Sequence, residues 1–157
     1  MLKRSKTDDE IDLEMSNAGG RVLAVNDDQD ACELIARLAE SAGWPADRVY
    51  DIDQVLPSLT DEHIAVVIDS LTLGVNEAFK ALDEIRGGPA GIRNVAVVII
   101  AATDTNRLFA FQSGADGYVV RPVHGEELLD VLRLVLARSV DERVEYRRSQ
   151  LMGGATI

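Results

Sequence analysis

A chain of 157 residues, 46% hydrophobic and 27% charged, has the length and composition of one domain with an ordinary core. Its formal net charge of -11 repels nucleic acid phosphates and anionic membranes, and no apolar run reaches the ~20 residues that span a bilayer. The single cysteine, Cys32, excludes an internal disulfide and fits a reducing cytoplasm.

Residues 1–20 carry five acids and three bases, show weak periodicity and end in Gly19-Gly20, so they read as a mobile leader. From Arg21 to Arg138, where most of the negative charge lies, strand and helix patterns alternate. A strand over 21–26 precedes a helix over 28–42, whose apolar stripe (Ala31, Leu34, Ile35, Leu38, Ala42) stops at Gly43. Trp44 follows as a cap on that helix end. A weak strand near 47–52 leads into a short helix around 53–60. The strand 63–69 is followed by a helix over 76–87, with Asn76 as its expected N-cap, ending at Gly87-Gly88-Pro89. The run 94–101 is almost continuously apolar, as in a central strand covered on both faces. A helix near 104–113 stops at Gly114, a short strand covers 116–120, and a last helix begins about 124. Residues 139–157 read as a helical extension: the last helix is expected to run on through Asp141 to Arg148, projecting as a linker or a dimerising helix. Five β-α units with right-handed crossovers give a doubly wound three-layer α/β/α sandwich.

Two of the strands run straight into carboxylates. Val22-Leu23-Ala24-Val25 ends in Asn26-Asp27-Asp28, and Ala65-Val66-Val67-Ile68 ends in Asp69. Ligands gather at the carboxyl ends of strands in such sheets, so both acidic groups converge on one edge. Acidic oxygens held together call for a cation, and Mg²⁺ is the usual occupant. Asp28 and Asp30 suit the first turn of the helix that follows. His63 and His124 lack metal-ligand spacing and read as surface residues.

The order of these pieces resembles the receiver domain of two-component response regulators. The acidic cluster Asn26-Asp27-Asp28, the strand-end Asp69, Gly114-Ala115-Asp116-Gly117-Tyr118, and Val119-Val120 leading to Arg121-Pro122 stand at the family's intervals. The resemblance implies a flavodoxin-like five-stranded parallel sheet of order 2-1-3-4-5 and a cis peptide before Pro122. It also implies that Asp69 accepts a phosphoryl group from a histidine kinase or phosphotransfer protein. Mg²⁺ would be held by Asp27, Asp69 and the backbone carbonyl of Leu71, with Asn26 acting through a water. Output would pass through the face formed by the fourth helix, the fifth strand and the fifth helix to a downstream protein or a fused effector domain, with a homodimer through the last helix as a further expectation. No direct nucleic acid or membrane contact is expected. Beyond slow turnover of its own aspartyl phosphate, the chain is not expected to be an enzyme.

Three positions depart from the family pattern. Asn26 stands where the family has an acid, lowering the charge of the site by one. Arg121 stands where it has Lys, in a chain with thirteen arginines and three lysines. Ala101 stands where it has a Ser or Thr whose hydroxyl binds the phosphoryl group. Thr103 replaces that hydroxyl only if the loop is re-registered, so the switch aromatic Tyr118 is expected to lack its hydroxyl partner. These changes leave open a second reading, a pseudo-receiver working as a phosphorylation-independent interaction module. A haloacid dehalogenase type of hydrolase is set aside, because it needs an Asp where Leu71 stands.

Overall fold

The computed structural model describes residues 20–70 and 74–152; the expected leader and the Leu71 carbonyl lie outside the described residues. Five strands form one parallel sheet in the order β2-β1-β3-β4-β5: β1 (Arg21–Val25), β2 (Ala46–Val49), β3 (His63–Asp69), β4 (Ala96–Ala101) and β5 (Gly117–Val120). Side chains alternate across a strand, so each strand feeds two cores. Leu23, Val25, Val66, Ile68, Val97 and Ile99 face α2 (Val55–Ser58), α3 (Val75–Arg86) and α4 (Arg107–Gln112), meeting Leu82, Ile85 and Phe111. Val22, Ala24, Ala65, Val67, Val98 and Ile100 face α1 (Gln29–Ser41) and α5 (Gly125–Leu136), meeting Ile35, Leu128 and Leu132. All six residues of β4 are buried, which accounts for its continuous apolar run. Among the described residues no helix is long and apolar enough to cross a membrane.

The connections follow local rules. Asp28 caps α1, its carboxylate accepting the N–H groups of Asp30 and Ala31 at 2.9 and 3.1 Å. At the other end the Trp44 N–H donates to the Ala39 carbonyl at 3.1 Å, with the indole buried. The peptide between Arg121 and Pro122 is cis. Gly74, at φ +89°, is the N-cap of α3, and Asn76 lies inside the helix rather than capping it. Glycine adopts that φ without the Cβ penalty an asparagine would carry.

Two further expectations are corrected. His63 is 9% exposed, not on the surface. Its Nδ1 accepts the Thr60 N–H at 3.0 Å, so Nε2 carries the proton and donates to Asp47 at 2.8 Å. The last helix does not run on either. It ends at Leu136, and a separate helix α6 (Val140–Met152) starts with a capping box: the Ser139 N–H donates to Glu142 at 2.7 Å and the Glu142 N–H to the Ser139 hydroxyl at 3.1 Å. Instead of projecting, α6 folds back on α4. Tyr146 meets Phe111 edge-on with centroids 5.8 Å apart, Arg138 lies 3.8 Å over the Tyr146 ring, and Arg143 donates to the Asn94 carbonyl at 2.9 Å. Arg147 reaches the buried Asp116 at 2.5 Å, while the other oxygen of Asp116 accepts from Arg86 and from the Val97 N–H, both at 2.9 Å. A buried carboxylate surrounded by donors is a strong anchor, because removing one donor leaves an expensive charge under-paired.

Candidate functional site

The site is built where β1, β3 and β5 end on the same edge of the sheet. β3 delivers Asp69, 3% exposed, to the floor of that edge. Ser70 pins the strand end in place: its N–H and its hydroxyl both donate to the Ile100 carbonyl, at 2.9 and 2.7 Å. Across from it, the Arg121 N–H donates to the Ala101 carbonyl at 2.9 Å, extending the β4–β5 ladder by one residue and aiming the Arg121 side chain inward.

Three predicted residues meet at this point. Asn26, fully buried, donates an amide N–H to Asp69 Oδ2 at 2.8 Å. Its orientation is unambiguous, because its Oδ1 accepts the Asp28 backbone N–H at 2.9 Å and a backbone N–H can only donate. Arg121 Nη2 pairs with the other oxygen, Asp69 Oδ1. Asn26, expected to act on a metal through a water, bonds the Asp69 carboxylate directly. An acid in its place would repel Asp69, whereas the amide satisfies it. Asp27 is exposed on the loop that follows β1.

Mg²⁺ takes one or two protein carboxylates and fills its octahedron with waters and phosphate oxygens. Asp27 and Asp69 are two such carboxylates, and among the described residues no group of three or more His, Cys, Asp or Glu side chains is gathered to hold a metal. Asn26 adds no charge, its N–H pointing at Asp69 and its oxygen engaged by Asp28. The residues therefore suit Mg²⁺ less tightly than three acids would.

Around Asp69 the neighbouring groups are placed as follows. Ala101 stands at the end of β4, 3% exposed and paired with Val120, and brings only a methyl group. Thr103 does not replace the absent hydroxyl, because its Oγ1 turns away to Thr105, 3.2 Å from that residue's Oγ1. Tyr118 is not left unpartnered. It is buried, and its hydroxyl donates to the Thr103 backbone carbonyl at 2.8 Å, with the Arg107 guanidinium 5.0 Å above its ring. Burial raises the Tyr118 pKa and keeps it a donor. Ser70, Gly74, Val75, Ala101, Ala102, Thr103 and Asn106 line a cleft. Ser70 and Asn106 escaped the sequence reading; a polar residue next to Asp69 was the only signal for Ser70.

The fold and this strand-end constellation define a receiver-type signalling module, and comparison with known proteins agrees. The model of the response regulator receiver domain family matches residues 22–133, and the chain belongs to that family. It is 26% identical over 121 residues to the transcriptional regulatory protein CpxR of Escherichia coli, covering 76% of this chain and 50% of that protein. To the DNA-binding response regulator MtrA of Mycolicibacterium smegmatis it is 29% identical over 127 residues, covering 80% and 54%. The chain thus spans about half the length of the curated relatives it matches. Among solved structures, the receiver domain of NtrX from Brucella abortus superposes with a TM-score of 0.65 at 24% identity, covering 75% of this chain and 99% of that one. The chemotaxis protein CheY4 of Vibrio cholerae gives 0.62 at 18% identity, covering 75% and 99%. Both share the fold. The chain is a receiver domain of the two-component response regulators.

Proposed function

We propose that this receiver takes a phosphoryl group on Asp69 from a histidine kinase or phosphotransfer protein in the cytoplasm. The reading is carried by one observation: a buried carboxylate at the end of β3, with hydrogen-bond donors fixed on both oxygens. In the transfer, an Asp69 oxygen forms a bond to phosphorus as the donor's bond to phosphorus breaks and the leaving group departs with the electron pair. Such chemistry needs positioning and charge neutralisation rather than further covalent catalysis, so a small domain suffices. Asp27 and Asp69 would hold Mg²⁺, which supplies part of that neutralisation when bound. Arg121 supplies the rest from the β5 side.

Output would pass through α4, β5 and α5. Tyr118 links the site end of that face to α4 through Thr103 and Arg107, and α6 lies against its far end. The relative MtrA is named a DNA-binding regulator; the acidity of the present chain argues against its touching DNA phosphates itself, so such contact would fall to a fused or partner domain. Incubation with acetyl phosphate and Mg²⁺, followed by intact-mass analysis, tests the proposal. One added phosphoryl group, lost in Asp69→Asn, is expected; no addition would sink it.

The Asn26 and Arg121 bonds also favour a second reading, in which Asp69 is permanently satisfied and the domain acts as a phosphorylation-independent interaction module. Asp69-dependent phosphorylation would eliminate it.

A further inference from the structure

Arg121 holds Asp69 with Nη2 alone, and its Nε is buried without a hydrogen-bond partner among the described residues. A buried guanidinium donor rarely goes unpaired, since its desolvation is then uncompensated. The same chain shows what a guanidinium does when both oxygens of a carboxylate face it: Arg21 grips Asp47 with Nε at 2.8 Å and Nη2 at 2.9 Å. Arg121 does not grip Asp69 that way: Nη2 meets Oδ1, while the Asn26 amide donates to Oδ2. Asn26 takes one oxygen, Arg121 the other, and one N–H of the guanidinium fork is left over on the acceptor side of the site. At the end of β4, where a hydroxyl would serve a phosphoryl oxygen, Ala101 contributes none, and the Thr103 hydroxyl faces Thr105.

We infer that Arg121 does two jobs: Nη2 positions Asp69, and Nε is the donor for an oxygen of the phosphoryl group, replacing the hydroxyl that Ala101 lacks. Arginine suits this because its donors form a rigid planar fork matched to the oxygens of carboxylates and phosphates, whereas lysine is a point charge. The inference rests on the reading of Asp69 as phosphoryl acceptor and specifies how the attached group is held.

A double-mutant cycle tests it, with beryllofluoride as the probe. This anion coordinates a carboxylate oxygen, and its fluorines stand in for the phosphoryl oxygens. Affinity is read by fluorine NMR at fixed MgCl₂ on the full chain. Arg121→Lys is expected to weaken binding about tenfold, the scale of one lost charged hydrogen bond. Ala101→Ser is expected to recover most of that loss in the Lys background but to gain only about twofold beside the native arginine. Equal gains in both backgrounds would overturn the inference, as would an Arg121→Lys chain that binds as tightly as the parent. If Arg121→Lys fails to fold, Arg121→Gln carries the same cycle. A parent chain that neither binds beryllofluoride nor is phosphorylated by acetyl phosphate overturns the acceptor reading itself, and the inference with it. A phosphorylated parent with additive mutational effects overturns the inference alone.

Discussion

Asn26 shows how one atom pair changes the character of a site. With its oxygen committed to the Asp28 N–H, it can offer Asp69 only a donor, so the two residues attract without a cation between them. Asn26→Asp removes that donor and adds a carboxylate. The variant is expected to bind Mg²⁺ about five- to tenfold more tightly by calorimetry, since charge count tunes such sites; unchanged affinity would show that residue 26 does not bear on the metal. On the opposite edge of the sheet, Asp47 behaves conversely. The Arg21 guanidinium, and after it His63, hold its pKa down to about 2 from the usual 3.8. Folding therefore favours the charged form, so this contribution to stability is complete above about pH 4 and is lost as the pH falls towards 2. Asp47 is 40% exposed, so solvent screens the effect and it is modest. Urea unfolding between pH 5 and pH 2.5 is expected to show a smaller loss of stability in Asp47→Asn than in the parent.

Among the elements, α6 and β5 carry the sharpest expectations. α6 buries no residue fully, and its stability comes from a few specific contacts with α4 and Asp116 rather than from an apolar stripe. Arg147→Ala leaves Asp116 with Arg86 and the Val97 N–H, so the loss is expected to be partial, about 1–3 kcal/mol by urea unfolding. Amide exchange along 140–152 should accelerate at the same time; unaltered protection would mean that the helix is held by something else. In β5, a Cβ on Gly117 would come within 2.8 Å of Val131 and 3.3 Å of Val98. Gly117→Ala is therefore expected to cost about 1–3 kcal/mol by forcing α5 off the sheet, measured by the same unfolding.

For the molecule as a whole, strand-scale features were legible because they are periodic. β3 runs from His63 to Asp69 as read, and β4 announces its burial in an unbroken apolar run. Asp69 was found because it ends a strand, and topology brings strand ends together, whereas Arg121 was found through the likeness of Val119-Val120-Arg121-Pro122 to the family's pattern. What escaped depends on contacts between residues far apart in sequence. His63 is held by a hydrogen bond to Asp47, sixteen residues away, and the bend before α6 is held by Asn94, Phe111 and Asp116. Yet Ser139-x-x-Glu142 is a capping box, and it marked the start of a new helix in the sequence itself. The direction in which the Asn26 amide faces had no such signal, because a backbone N–H decides it. The central claim is that the carboxylate gathered by β1, β3 and β5 accepts a phosphoryl group. The most direct test is to treat the chain with acetyl phosphate and Mg²⁺, reduce it with borohydride and sequence the peptides by mass. Aspartyl phosphate is reduced to homoserine, and the account predicts homoserine at position 69 and nowhere else. Homoserine at Asp27 or another acid, or none at all, would contradict it.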